Sequence, residues 1–341
     1  MKHLDLVLPS KLTQFFSLDT RKSLPKILLP GLEAILARSD YFQSGKQSEI
    51  TALQKQFGLF EGQNQPACRV APITYLVDVA PDSTSYILRA DPVHLQVDRD
   101  AVVLLGNEQL DISKDEAIHI ANEINAHFCE ESWTIIPASA KRWYIRLSRN
   151  TALNTSSIDD VMGQNINNYM PGGDDGLYWR QVMNEIQMLL HRSDVNKQRQ
   201  SNGEPAINSI WLWGGGVLPP PQPVSWGQVY GDDVLLEGLA KLCRVPYSMV
   251  PDNYNGMPGL VDGIDSSLLV FNATRFPSIS DHDELGDYMH AMERDWFKLI
   301  FSALKSSSLG SLDINLDRHY FSTTSKVMRS WWKRKLKLDM F

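Results

Sequence analysis

The sequence predicts an α/β protein built on a mainly parallel sheet with helices on both faces. Strand-length apolar runs alternate with amphipathic helical segments along most of the chain. The segments 4–8 and 268–272 read as short strands buried on two faces, as in parallel sheets. At 341 residues the chain exceeds one small core and suits two domains.

Each element follows from local chemistry. Residues 32–37 suit a short helix entered through Pro30-Gly31, and 50–57 a turn or two of helix. Segment 73–79 reads as a second apolar strand, ended by Pro81-Asp82. Strands are expected at 93–97 and 102–105, separated by the charged turn Asp98-Arg99-Asp100. Ser113-Lys114-Asp115-Glu116 is a capping box, in which Ser113 and Glu116 satisfy the first free N–H groups of a helix. Ala117, Ile120, Ala121, Ile124 and Phe128 then recur at helical spacing. Strands at 133–136 and 143–147 complete a β-β-α-β-β unit. Further on, 177–191 is an amphipathic helix, and 207–213 a strand that runs into a turn at Gly214-Gly215-Gly216. Residues 232–243 and 281–304 are expected to be helical, and 312–316 to be a last strand.

Composition removes whole classes of function. Hydrophobic residues at 43% and charged residues at 21% exclude a disordered chain. A formal charge of −7 argues against a general nucleic-acid binder, whose affinity comes largely from excess Lys and Arg. No apolar run approaches the roughly 20 residues of a membrane helix. Residues 1–10 lack the order of a signal peptide, so the expected location is the cytoplasm. Cys68, Cys129 and Cys243 are widely spaced and fit free thiols rather than a disulfide framework or cysteine-rich zinc site.

The stretch Asn196-x-x-Arg199-x-x-x-Gly203-x-Pro205-Ala206-x-Asn208-x-Ile210-Trp211-Leu212-Trp213-Gly214-x-Gly216-x-x-Pro219 resembles the run through the tryptophan-glycine strand of archaeal-type cofactor-independent phosphoglycerate mutases. The segment from Asp91-Pro92-Val93 to Arg142-Trp143-Tyr144 looks like that family's inserted domain. A bacterial family of RpfE-type regulatory proteins, related to the mutases, is similar over nearly the whole chain. The resemblance implies an alkaline-phosphatase-like, mainly parallel core (1–87 and 173–341) carrying a small inserted α+β domain (88–172). It also implies two divalent metals and a Ser or Thr that accepts the phosphoryl group, because paired cations polarise phosphoryl oxygens and activate the hydroxyl.

The implied ligand positions depart from that pattern. Leu8-Pro9 stands where the family has Asp-Gly, and Leu29 precedes Pro30 where it has the phosphorylated hydroxyl. Of a late Asp and His, only His282 keeps a suitable place, and Asp317-Arg318-His319 is the nearest match to a terminal Asp-His pair. Two readings follow. In the first, the chain is a pseudoenzyme with no expected cofactor, acting as a binding or regulatory protein through a cleft between core and insert. Its partners would be a small phosphorylated or carboxylate ligand, or another protein. In the second, it is an active phosphoglycerate mutase or phosphate-ester phosphotransferase whose metal site (Mn, Zn or Mg) is rebuilt from Asp281, His282, Asp283 and His319.

Residues expected at an anion site are Arg199, Asn208, Gly214, Gly215, Gly216 and Arg142. Guanidinium forks bind anions bidentately, and glycines let backbone N–H groups approach them. Each has a plainer explanation in hydrogen bonding within the fold, a tight turn, or strand exposure. Trp211 and Trp213 share a strand face and are expected in the core. Asp281 and Asp283 also suit a polar helix start. The basic, tryptophan-bearing segment 326–338 suits either a last helix packed on the core or an anionic partner surface.

Overall fold

The computed structural model describes residues 2–16, 27–45, 48–59, 69–98, 101–105, 110–257, 264–272, 276–277 and 282–329. Asp281, the side chain of His282, Cys68 and the end of the basic segment (330–338) lie outside this description. The chain begins with β1 (His3–Leu8) and β2 (Asp40–Gln43). It continues through β3 (Tyr86–Asp98), β4 (Ala101–Leu105), β5 (Trp133–Pro137), β6 (Trp143–Leu147) and β7 (Ser209–Gly216). It ends with β8 (Gln228–Tyr230), β9 (Tyr247–Ser248), β10 (Ser266–Val270), β11 (Ser311–Leu316) and β12 (His319–Thr324).

Contacts divide the chain into two compact units, residues 1–58 with 222–341, and residues 59–221. The first holds a 7-stranded sheet in the order β2-β12-β11-β1-β10-β8-β9. Its centre is parallel, since β1 lies between β10 and β11 with all three running the same way, while β12 and β2 add an antiparallel edge. Leu4, Leu6 and Leu8 of β1 are buried on one face. There they join Ile35 and Leu36 of the helix Pro30–Leu36 and Leu285, Met289, Ile300 and Leu304 of the long C-terminal helical stretch in one core. That stretch is not uniform. The α-helix His282–Met292 passes through a π-helical turn, Glu293–Phe297, into the α-helix Lys298–Ser306.

The second unit is antiparallel. β3 is its spine, pairing with β4, β6 and β7, and β6 pairs with β5. The expected β-β-α-β-β order is present, and the capping box forms as read: Ser113 Oγ accepts from Glu116 N, and Glu116 Oε2 accepts from Ser113 N. The compact unit is wider than the expected 88–172 insert. The reason is β7, whose segment was expected in the core but pairs with β3 from Ile87 to Val93.

Three local expectations are corrected. Segment 73–79 lies in a helix, Val70–Asp78, whose residues 70–76 are all buried. A helix buried all round reads in sequence as an unbroken apolar run, which periodicity does not separate from a strand. Gly214, Gly215 and Gly216 are not a turn after a strand but the end of β7 itself. A Cβ at Gly215 would lie 2.6 Å from the Tyr86 hydroxyl, and one at Gly216 would lie 2.7 Å from the Arg69 side chain. Close packing explains Gly215 and Gly216, while Gly214 takes a φ of 65°, which favours glycine. Finally, β1 is buried on one face only; His3, Asp5 and Val7 face the other way and are half-buried.

Candidate functional site

In parallel α/β sheets ligands bind beyond the carboxyl ends of the strands. Here those ends are apolar. β1 finishes at Leu8, β11 at Leu316, and β10 is followed by Phe271, whose N–H donates to Val7 O. Leu8, Leu316, Phe271 and Leu29 are all buried, and all belong to one hydrophobic cluster of this unit. Two carboxylates do follow β8, but both hold backbone. Asp233 caps the helix Val234–Leu242 by accepting from Leu235 N and Leu236 N, and Asp232 accepts from Val250 N.

Leu29 precedes the helix Pro30–Leu36 and offers its N-terminus no side-chain cap. Glu293, from the π-helical turn, takes that place. Its carboxylate accepts from Gly31 N at 2.6 Å and from Leu32 N at 3.3 Å. Burial pushes the Glu293 carboxyl above the usual carboxylate range, and these two N–H donors offset only part of that. Gly31 permits the approach, because a Cβ there would lie 2.7 Å from Glu293 Oε1 and 2.8 Å from Lys298 N.

The metal ligands implied by the family resemblance do not fit this end of the sheet. Leucine and phenylalanine side chains hold no cation. Of the candidates for a rebuilt site, Asp283 is exposed near the start of the long helical stretch. His319 opens β12, where it is buried, shares a hydrogen bond with the Tyr41 hydroxyl through Nδ1, and lies parallel to the Tyr41 ring. Burial, with Arg318 alongside, holds its imidazole below the usual histidine range.

Among the described residues, the grouping with metal-ligand spacing is a different one: His3, Asp5 and Asp313, whose donor atoms lie within 4.8 Å of one another. Asp5 and Asp313 sit opposite each other on β1 and β11, and His3 opposite Ser311. His3 Nε2 is 3.2 Å from Asp5 Oδ2 and 3.7 Å from Asp313 Oδ2, while Nδ1 hydrogen-bonds Ser311 Oγ. The Asp5 carboxylate raises the affinity of His3 for a proton, against the opposing effect of burial. Reading 4–8 as a buried strand missed this cluster, because the parallel pairing with β11 that brings Asp313 to Asp5 is not visible in sequence.

The residues expected to bind an anion are dispersed within the second unit and engaged there. Arg199 is buried and donates to Pro205 O, Asp111 O and Glu116 Oε1, which ties it to the capping box; only Nη2 is buried without a partner. Asn208 exchanges two hydrogen bonds with the backbone of Leu95, extending the β3–β7 pairing. It stands at the opposite end of β7 from Gly214, roughly 20 Å away at strand rise, so one small anion cannot touch both. Arg142 forms a bidentate pair with Asp78, which also accepts from the Tyr144 hydroxyl. Burial alone would raise the Asp78 carboxyl, but these donors hold it below the usual range. Trp211 and Trp213 are buried as expected, with indole N–H groups on Ser156 O and Asp91 Oδ2.

No protein-family profile matches the chain. It is 29% identical over 110 residues, or 32% of its length, to a 2,3-bisphosphoglycerate-independent phosphoglycerate mutase of Methanosarcina mazei. With the enzyme of the same name from Methanosarcina acetivorans it is 24% identical over 212 residues, or 57% of its length. These matches span 28% and 53% of the relatives' own lengths, so the chain answers to about half of them at most. The cofactor-independent phosphoglycerate mutase structure from Thermoplasma acidophilum superposes with a TM-score of 0.52 at 16% identity, covering 100% of this chain and 95% of that one. No helix among the described residues is long and apolar enough to cross a membrane. The chain thus has an alkaline-phosphatase-like fold and is similar in sequence, at low identity, to cofactor-independent phosphoglycerate mutases.

Proposed function

We propose that this phosphoglycerate-mutase-like protein has lost the two-metal phosphoryl transfer of its relatives and acts as a binding or regulatory protein of the RpfE type. One observation carries the reading: Leu8, Leu29, Phe271 and Leu316 are packed into one hydrophobic core where a parallel sheet would open to its ligand. A leucine at position 29 has no atom that can accept a phosphoryl group. The residues that end β1 and β11, Leu8 and Leu316, are buried and offer a dication no side-chain donor, and unpaired charge in such a setting is strongly disfavoured. Helix N-termini favour phosphate groups, and the one after Leu29 already holds the Glu293 carboxylate.

The test is a mutase assay on the full chain with phosphoglycerate, after stripping with chelator and reloading with manganese, magnesium, cobalt or zinc. The expected result is no turnover above the stripped protein. Metal-dependent turnover that disappears in both His282→Ala and His319→Ala would overturn the proposal in favour of a rebuilt metal site. The ligand class consistent with the relatives' names is a small phosphorylated or carboxylate acid, with a protein partner as the other candidate.

A further inference from the structure

We infer that His3, Asp5 and Asp313 form a binding site for one divalent transition-metal ion on the half-buried face of the parallel sheet, away from the strands' carboxyl ends. This goes beyond the loss of catalysis and does not depend on it.

The donors are fixed by backbone pairing rather than by loops. Asp5 and Asp313 are registered cross-strand neighbours on β1 and β11, and His3 is two residues before Asp5 on the same face. A tetrahedral ion bonded at about 2.0–2.2 Å to imidazole nitrogen and carboxylate oxygen holds its ligand atoms roughly 3.3–3.6 Å apart. The separations of 3.2 and 3.7 Å from His3 Nε2 to the two carboxylates bracket that spacing, so small rotations suffice to close on an ion. Ser311 Oγ on Nδ1 orients the imidazole with Nε2 turned to the carboxylates, and the Trp226 indole N–H donates to Asp5 Oδ2. Partners of this kind outside the ligand set are what hold metal-binding histidines and carboxylates in place.

Two carboxylates directly opposite on neighbouring strands repel and weaken the pairing, and an ion between them reverses the sign. An entry path exists, because Asp5 and Asp313 line a surface groove of about 210 Å³ together with Phe42, Gln56, Tyr320 and Ser322. Three protein donors leave a fourth position open to water or to an anionic group from that groove. One imidazole with two carboxylates suits zinc, cobalt or manganese better than magnesium, which prefers an oxygen octahedron.

The test uses the full, untagged chain stripped with chelator and titrated with zinc, and with cobalt as a spectroscopic stand-in. Expected are one ion bound per chain, a saturable rise in thermal midpoint, and visible absorption bands of low-symmetry four-coordinate cobalt. Asp313→Asn, at a carboxylate whose side chain is 47% exposed and therefore removable without unfolding, should weaken zinc binding at least tenfold. His3→Ala should abolish the cobalt bands. The assignment is overturned by absence of stoichiometric zinc binding, by binding unchanged in both variants, or by a magnesium-induced shift as large as that from zinc.

Discussion

Glu293 offers the most direct test of how the sheet's carboxyl end is built. It is 8% exposed and is the only side chain seen to cap the helix Pro30–Leu36 among the described residues. Glu293→Ala leaves Gly31 N and Leu32 N buried without that acceptor. A stranded buried donor costs about 1–3 kcal/mol, so stranding both should cost roughly 2–6 kcal/mol before any cavity is counted. Glu293→Gln keeps an acceptor and removes the charge. Because burial raises the carboxyl of Glu293 above its unfolded value, its contribution to stability is full below about pH 4.5. That contribution is lost as pH rises through the folded value. Wild type should therefore lose stability relative to Glu293→Gln as pH rises above about 4.5, so the variant's advantage widens with pH. Thermal unfolding of wild type and both variants at several pH values reads this out. A Glu293→Gln protein that falls behind wild type as pH rises would show that the helix needs the charge and that the burial argument is wrong. A Glu293→Ala protein as stable as wild type would remove the cap altogether.

Two other expectations concern the second unit. Arg199→Ala breaks the pair with Glu116 and two further hydrogen bonds, to Pro205 O and Asp111 O, and should cost about 3 kcal/mol in denaturant unfolding. A midpoint raised by phosphorylated three-carbon acids in wild type and unmoved in Arg199→Ala would make Arg199 an anion site, whereas a shift kept in Arg199→Ala places the ligand elsewhere. Ser113→Ala removes one half of the capping box and should cost about 1 kcal/mol in the same measurement.

What could be read from sequence was what is local. The capping box was legible because Ser113 and Glu116 are three residues apart and cannot serve each other except at a helix start. The helix Val70–Asp78 was misread because burial on every side erases the period that separates helix from strand. For Arg199 sequence left a structural and an anion-binding role equally open, because its partners Asp111 and Glu116 lie more than eighty positions away. Leu8 and Leu29 pointed to lost chemistry through residue type alone. Glu293 gave no sign of its role, since its two donors are 261 and 262 positions distant. Likewise the face shared by His3 and Asp5 was missed when 4–8 was read as a buried strand, and Asp313 joins them only through parallel pairing that no short window records.

The π-helical turn has a consequence for phase. From Leu285 to Leu304 an unbroken α-helix would make about five full turns and roughly 100° more, carrying Leu304 off the stripe that Leu285 begins. Both are nevertheless fully buried in the same core. A π turn takes up one additional residue, which is the same angle, so Glu293–Phe297 brings the two halves of the stretch back into register. A regular α-helix that kept every residue would have its ends facing different ways, whereas one residue deleted within those five positions would leave about five full regular turns with both ends still facing the core. The irregular turn is thus what lets one continuous helical stretch present a single apolar side along its whole length.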